Sequence, residues 1–146
     1  MNATVWQHRI SNWACGALTA LVSLTAGSAM LALYRLLSAH AVLHWSLPPA
    51  LTFALAFFGL DLLYYLQHRA EHRSKWLWAI HEVHHQSNIC DASVSLRTSA
   101  FAPVSVLAVQ LPLAVLGLPF GVYVAAYVAH TALVFLLHSR TPRWMD

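Results

Sequence analysis

Two uninterrupted apolar runs decide the setting before any motif is considered. Thr98 to Leu137 is forty residues without an Asp, Glu, Lys or Arg, and Trp13 to Tyr34 is 22 residues without a charge, closed by Arg35. A helix of about 20 apolar residues crosses a hydrocarbon core, and a helix also satisfies its own backbone where no water can. A third run, Trp45 to Gln67, carries one charge, Asp61, and begins with Pro48 and Pro49, where a helix start tolerates them. As a single helix the forty-residue run would reach about 60 Å, roughly twice the bilayer thickness. The stretch "GLPFG", Gly117 to Gly121, predicts its division into two helices joined by a tight hairpin. The expectation is an all-α integral membrane protein, one domain over residues 1–146, with about four transmembrane helices and a polar helical segment, His68 to Arg97, between the second and third.

Composition agrees and excludes other classes. Only 9% of residues are charged and 59% are apolar, against about 25% charged in ordinary soluble domains. Eight Lys and Arg are too few and too scattered for a nucleic-acid footprint. Cys15 and Cys90 form no CxxC pair and suggest no disulfide framework. In the four-helix arrangement Arg9, Arg69, Arg73, Lys75, Arg97, Arg140 and Arg143 share one side, and only Arg35 lies on the other. By the positive-inside rule the polar segment and both termini face the cytoplasm. A cleavable leader over the first run is the rival reading, but that run is long for a signal's apolar core.

Within the polar segment histidine is the anomaly. Five of the ten fall between His68 and His85. His68 and His72 are four apart and share a helix face. His81, His84 and His85, at spacings of three and four, share one turn. Eight residues, "RSKWLWAI", separate the groups. A helix leaving the membrane, a bend near Arg73–Ser74 and a second helix along the interface bring them together, with Trp76 and Trp78 suited to the interfacial level. A lone histidine in such a chain is usually a buried hydrogen-bonding residue, whereas five in these spacings predict a metal site. Five imidazoles exceed one tetrahedral sphere, so two metals, or one metal with further ligands elsewhere, follow.

The stretch "HEVHH", His81 to His85, also spells the zinc-protease signature H-E-x-x-H. That chemistry needs Glu82 as base and a third ligand further along. After Glu82 the only acidic residues are Asp91 and Asp146, and the protease reading leaves His68, His72 and His84 without work.

The segment "DLLYYLQHRAEHRSKWLWAIHEVHHQS" resembles the fatty acid hydroxylase/sterol desaturase superfamily of membrane histidine-box non-haem iron enzymes. The matching residues are Asp61, Tyr64 and Tyr65, His68-Arg69 with His72, Trp78, and His81 with His84-His85 and Ser87. "LLHSRTPRWMD" is similar to the family's final-helix segment, which makes His138 a further ligand; His130 is the weaker candidate, equally a core histidine. The resemblance covers about residues 45–146. It departs in one respect: the family's third H-x-x-HH box would follow this turn and is not within residues 1–146. The sequence therefore reads as truncated before that box, or as needing a partner's ligands, and no catalysis is expected from these residues alone.

What the resemblance implies is a membrane-bound oxidoreductase that hydroxylates or desaturates a lipid of the sterol or fatty acyl class. Its metal ligands would be His68, His72, His81, His84, His85 and His138, holding a di-iron centre with O₂ as co-substrate. A membrane lipid would be the substrate, and an external ferredoxin- or cytochrome-type donor would supply electrons. Asp61, two turns before His68, is expected to support a ligand from behind, and Arg69, Arg73, Lys75 and Arg97 to meet an anionic head group or the donor. Two further readings stay open: an inactive family member or scaffold, and a membrane b-type haem protein with paired axial histidines.

Overall fold

The computed structural model describes residues 3–87 and 92–139, with side chains over 4–87 and 92–137. Every regular element among them is helical: α1 (Ala3–Val22), a π-helical turn (Ser23–Gly27), α2 (Ser28–Ser38), α3 (Pro49–Glu71), α4 (Lys75–His85), a 3-10 turn (Ala92–Leu96), α5 (Ala102–Val115) and α6 (Phe120–Ser139). α1, the π turn and α2 form one continuous rod. Ser23 and Ser28 return their hydroxyls to the carbonyls of Thr19 and Leu24, both at 2.8 Å, so the rod's polar residues are satisfied without water.

Three of these helical stretches are long and apolar enough to cross a membrane: Thr4–Ser38, Pro49–Glu71 and Phe120–Leu137. The forty-residue run does divide at Gly117, as expected, but its first half yields only the 14 residues of α5, or about 21 Å of helix. A fourth full span is therefore not formed by the described residues. α5 is bounded on both sides: Pro103 fixes the first turn, and Gly117 ends the helix with φ +79°. Gly117 N–H donates to the Ala114 carbonyl and Leu118 N–H to that of Leu113, both at 3.0 Å, the paired bonds of a Schellman stop. A Cβ at Gly117 would also lie 2.0 Å from the Leu43 carbonyl oxygen, so only glycine fits.

The tightest packing lies at the hairpin end. Tyr34 and Tyr123, both 1% exposed, stack with centroids 4.1 Å apart. The Tyr34 hydroxyl donates to the Leu118 carbonyl at 3.2 Å and the Tyr123 hydroxyl to Gln110 Oε1 at 2.7 Å. Buried tyrosines thus give their apolar area to the core while each hydroxyl finds an acceptor. Arg35 sits over Phe120, 5.2 Å from the ring, at this same end and away from Asp61.

At the opposite end α3 stops at Glu71, Ser74 is extended, and α4 begins at Lys75. This is the bend expected near Arg73–Ser74. Arg97 is the anchor beneath it. Nε donates to the Val83 carbonyl at 2.8 Å, NH1 to Ser11 Oγ at 2.7 Å and Asn12 Oδ1 at 3.3 Å, and NH2 to Gln86 Oε1 at 3.1 Å. The guanidinium ties α1 to α4 and is buried, which corrects the expectation that Arg97 meets a head group or donor.

Candidate metal centre

The bend lays the start of the second histidine box over the end of the first. His68 and His72 lie at the C-terminal end of α3, and His81, His84 and His85 fill the last turns of α4. His81 is the hub: its ring centroid lies 4.5 Å from His68, 4.8 Å from His72, 4.8 Å from His85 and 5.7 Å from His84. One ligand nitrogen from each of His68, His72 and His81 falls within 4.8 Å of the other two. His81 Nε2 and His85 Nε2 are 3.0 Å apart. With metal–nitrogen bonds of about 2.1 Å, ligand nitrogens sit about 3.0 Å apart when cis and about 4.2 Å when trans. Small side-chain adjustments therefore close this donor set around an ion, and the residues fit a metal.

The chemistry of the donors agrees. Burial, reinforced by the neighbouring His68, His85, His84 and His72, pushes the His81 imidazole down to about 4. Burial and His72 likewise lower His85. Both rings are therefore neutral near pH 7, the form that binds metal. The tautomers are set from behind. His81 Nδ1 lies 3.0 Å from Glu71 Oε2 and His84 Nδ1 lies 3.2 Å from the Arg97 carbonyl oxygen, which directs the Nδ1 proton to those acceptors and leaves each Nε2 as the ligand atom.

Glu71 is the residue that sequence reasoning missed. It is 8% exposed, its Oε1 accepts from Gln67 Nε2 at 3.0 Å, and Gln67 Nε2 also donates to Ser105 Oγ at 3.1 Å. The only signal was its position three residues after His68, on the same helix face. Asp61 does not support a box histidine, contrary to expectation. Its Oδ1 lies 3.1 Å from His130 Nε2, because the seven residues from Asp61 to His68 extend about 10 Å along α3. His130 is buried and in edge contact with Phe57 and Tyr64. α6 runs parallel to α3, so eight residues beyond His130 it brings His138 to the level of the first box; the His138 side chain lies outside the described residues.

Of the two tryptophans, Trp76 is 87% exposed. Trp78 instead stacks on His85, centroids 5.4 Å apart, and leans on His72 at 5.4 Å. Glu82 lies about 100° around α4 from His81 and is not part of the cavity wall described below.

A cavity of about 330 Å³ opens beside the cluster, between α3, α5 and α6. His68, His81 and His84 border it at one end, while Val106, Tyr127, Val134 and Phe135 give it a largely apolar wall. A largely apolar chamber abutting a histidine cluster has a lining suited to a hydrocarbon chain.

Comparison with known proteins agrees with this geometry. The sequence is 37% identical over 90 residues to alkylglycerol monooxygenase of Danio rerio, covering 62% of this chain and 20% of that protein. It is 33% identical over 106 residues to the Homo sapiens alkylglycerol monooxygenase, covering 73% of this chain and 22% of that one. A Caenorhabditis elegans alkylglycerol monooxygenase is 40% identical over 58 residues, 40% of this chain and 11% of its own. The chain thus spans about a fifth or less of the length of these relatives. No solved structure matches. The family model for fatty acid hydroxylase matches residues 53–146, the region that holds both histidine boxes, the cavity and α6, and this chain belongs to the fatty acid hydroxylase family.

Proposed function

We propose that these residues form the membrane-embedded metal site of an iron-dependent lipid monooxygenase. The observation that carries the reading is the meeting of the two histidine boxes at the mouth of an apolar cavity inside a membrane helix bundle. His68, His72, His81, His84 and His85 would hold the metal, with His138 as a further ligand from α6. Bound iron would supply the redox chemistry by which a C–H bond, O₂, two electrons and two protons become an alcohol and water. The similarity to alkylglycerol monooxygenases favours a lipid with a long alkyl chain as substrate and hydroxylation as the reaction.

The chain's own residues do four things. The walls of α3, α5 and α6 orient an alkyl chain toward the histidines, and the same walls exclude water. Glu71 and the Arg97 carbonyl hold the Nδ1 protons of His81 and His84. Exposed Arg69, Arg73 and Lys75 beside the site offer a positive surface to an external electron donor of ferredoxin or cytochrome type. Their position also favours a cytoplasmic site. The test is iron per chain by elemental analysis, together with lipid profiling under O₂ and a reductant. Iron bound through the boxes and new hydroxylated lipid are expected. A Soret band from haem, or an iron content that ignores substitution of the boxes, would overturn the proposal.

A further inference from the structure

α1 lies outside residues 53–146, the region that the family model matches, yet it backs one wall of the cavity. The 3-10 turn and the residues just after it supply Ser95, Leu96, Thr98 and Ser99 to that wall, and among the described residues none of α1 lines it. The turn packs against α1 on one side and α6 on the other, so it stands between α1 and the chamber. Asn12, Gly16 and Thr19, four and three apart, share one face of α1, and each meets this segment. Asn12 Nδ2 donates to Ser93 Oγ at 2.9 Å, and the Thr19 hydroxyl donates to the Thr98 carbonyl at 3.1 Å. Beside them the Ser11 hydroxyl accepts from Arg97 at 2.7 Å.

Gly16 is what lets the two segments touch. A Cβ there would lie 3.0 Å from Leu96 Cβ and 3.3 Å from the Leu96 carbonyl oxygen, inside the roughly 3.5–4.0 Å at which carbon atoms pack. Leu96 is both wall and surface: it lines the cavity and is 40% exposed. Deeper wall residues such as Gln110 and His130 are buried, so Leu96 stands at the mouth. The bonds at Ser93 and Thr98 flank it and hold the segment against α1. A larger residue at position 16 therefore presses Leu96 away from α1 and into the opening, and a shorter residue at position 96 relieves it.

We infer that α1 sets the width of the cavity mouth, with Gly16 as a positioning residue that acts through Leu96 on how broad a chain the chamber admits. Leu96 is the residue that meets the chain, and Gly16 touches it only from behind. The inference rests on the reading of the cavity as a chain-binding site, and its test needs neither iron nor turnover.

The experiment measures equilibrium binding of radiolabelled hexadecane and radiolabelled pristane to the chain in lipid nanodiscs, with empty nanodiscs subtracted. Hexadecane is linear, whereas pristane carries methyl branches along its length, so whichever part lies in the mouth is broader. The readout is the ratio of hexadecane to pristane affinity in each variant, relative to wild type. Leu96→Ala should lower that ratio about tenfold and Gly16→Val should raise it about tenfold, the scale on which a pocket senses one added or missing carbon. Gly16→Ala, which asks Leu96 to give by only a few tenths of an ångström, should move it less and in the same direction as valine. The decisive protein is Gly16→Val/Leu96→Ala: if position 16 acts through Leu96, the ratio returns toward wild type, a coupling that independent effects do not produce. Circular dichroism on every variant confirms retained helix, and Gly16→Ala with Leu96→Ala carries the test if valine at 16 prevents folding. A ratio unmoved by either residue-16 variant, a double variant that merely adds the two single effects, or a wild type that binds neither alkane overturns the inference. Each of these results leaves the iron and hydroxylation measurements to judge the monooxygenase reading separately.

Discussion

Replacing Glu71 tests whether the centre is built as the geometry describes. In the folded chain its Oε2 accepts from His81 Nδ1 at 3.0 Å and lies 4.0 Å from His68 Nδ1, while Oε1 holds Gln67. Glu71→Ala removes the acceptor that fixes the His81 tautomer and leaves a gap behind the hub of the cluster. Gln67 keeps its bond to Ser105, so the loss falls on the histidines more than on helix packing. Removing an acceptor behind a metal-bound histidine typically weakens metal binding about 10–100-fold, or roughly 1.4–2.8 kcal/mol. Glu71→Gln retains the volume and a carbonyl acceptor without the charge, and its loss should stay near the lower end. The assay is metal competition against a chelator of known affinity on detergent-purified protein, with helix content followed by circular dichroism. Wild-type affinity in Glu71→Ala would refute the reasoning, since a carboxylate that supports the hub cannot be dispensable.

His81→Ala and His85→Ala should each remove most bound metal, whereas His8→Ala and His40→Ala should not; elemental analysis of the four proteins checks this. Glu82→Gln should be mild in an active, longer protein, because Glu82 lies off the cluster face, and a loss of several orders of magnitude in turnover would instead restore the protease reading. His81 titrates near 4 in the fold against 6.5 in the unfolded chain, so the unfolded state binds more protons between those values. Stability of the metal-free protein should therefore be full above about pH 6.5 and fall as the pH drops toward 4, as thermal unfolding across that range would show.

The parts of this protein legible in the sequence are those governed by local periodicity and by solvent. Charge-free runs demanded membrane helices, Pro48–Pro49 and Gly117 punctuated them, and histidine spacings of three and four put each box on one helix face. The bend near Arg73–Ser74 was readable because only eight residues separate the two boxes, which a turn there brings together. The tertiary structure decided whatever depends on which helix meets which. Asp61 and Glu71 lie on the same helix, yet only Glu71 is level with α4; Asp61 instead meets His130 of α6, a helix that packs beside α3 and runs parallel to it. Arg97 reads as one more basic residue near the membrane surface until α1 covers it and a backbone carbonyl, a hydroxyl and two side-chain amide oxygens accept its hydrogen bonds. Gln110 looks like a chance polar residue in an apolar run, and only the packing of α5 against α6 gives it the Tyr123 hydroxyl and a place in the chamber wall. Periodicity fixes the face a residue occupies on its own helix, but a hydrogen-bond partner is chosen by helix length, tilt and direction, which are set by burial between segments far apart in the chain.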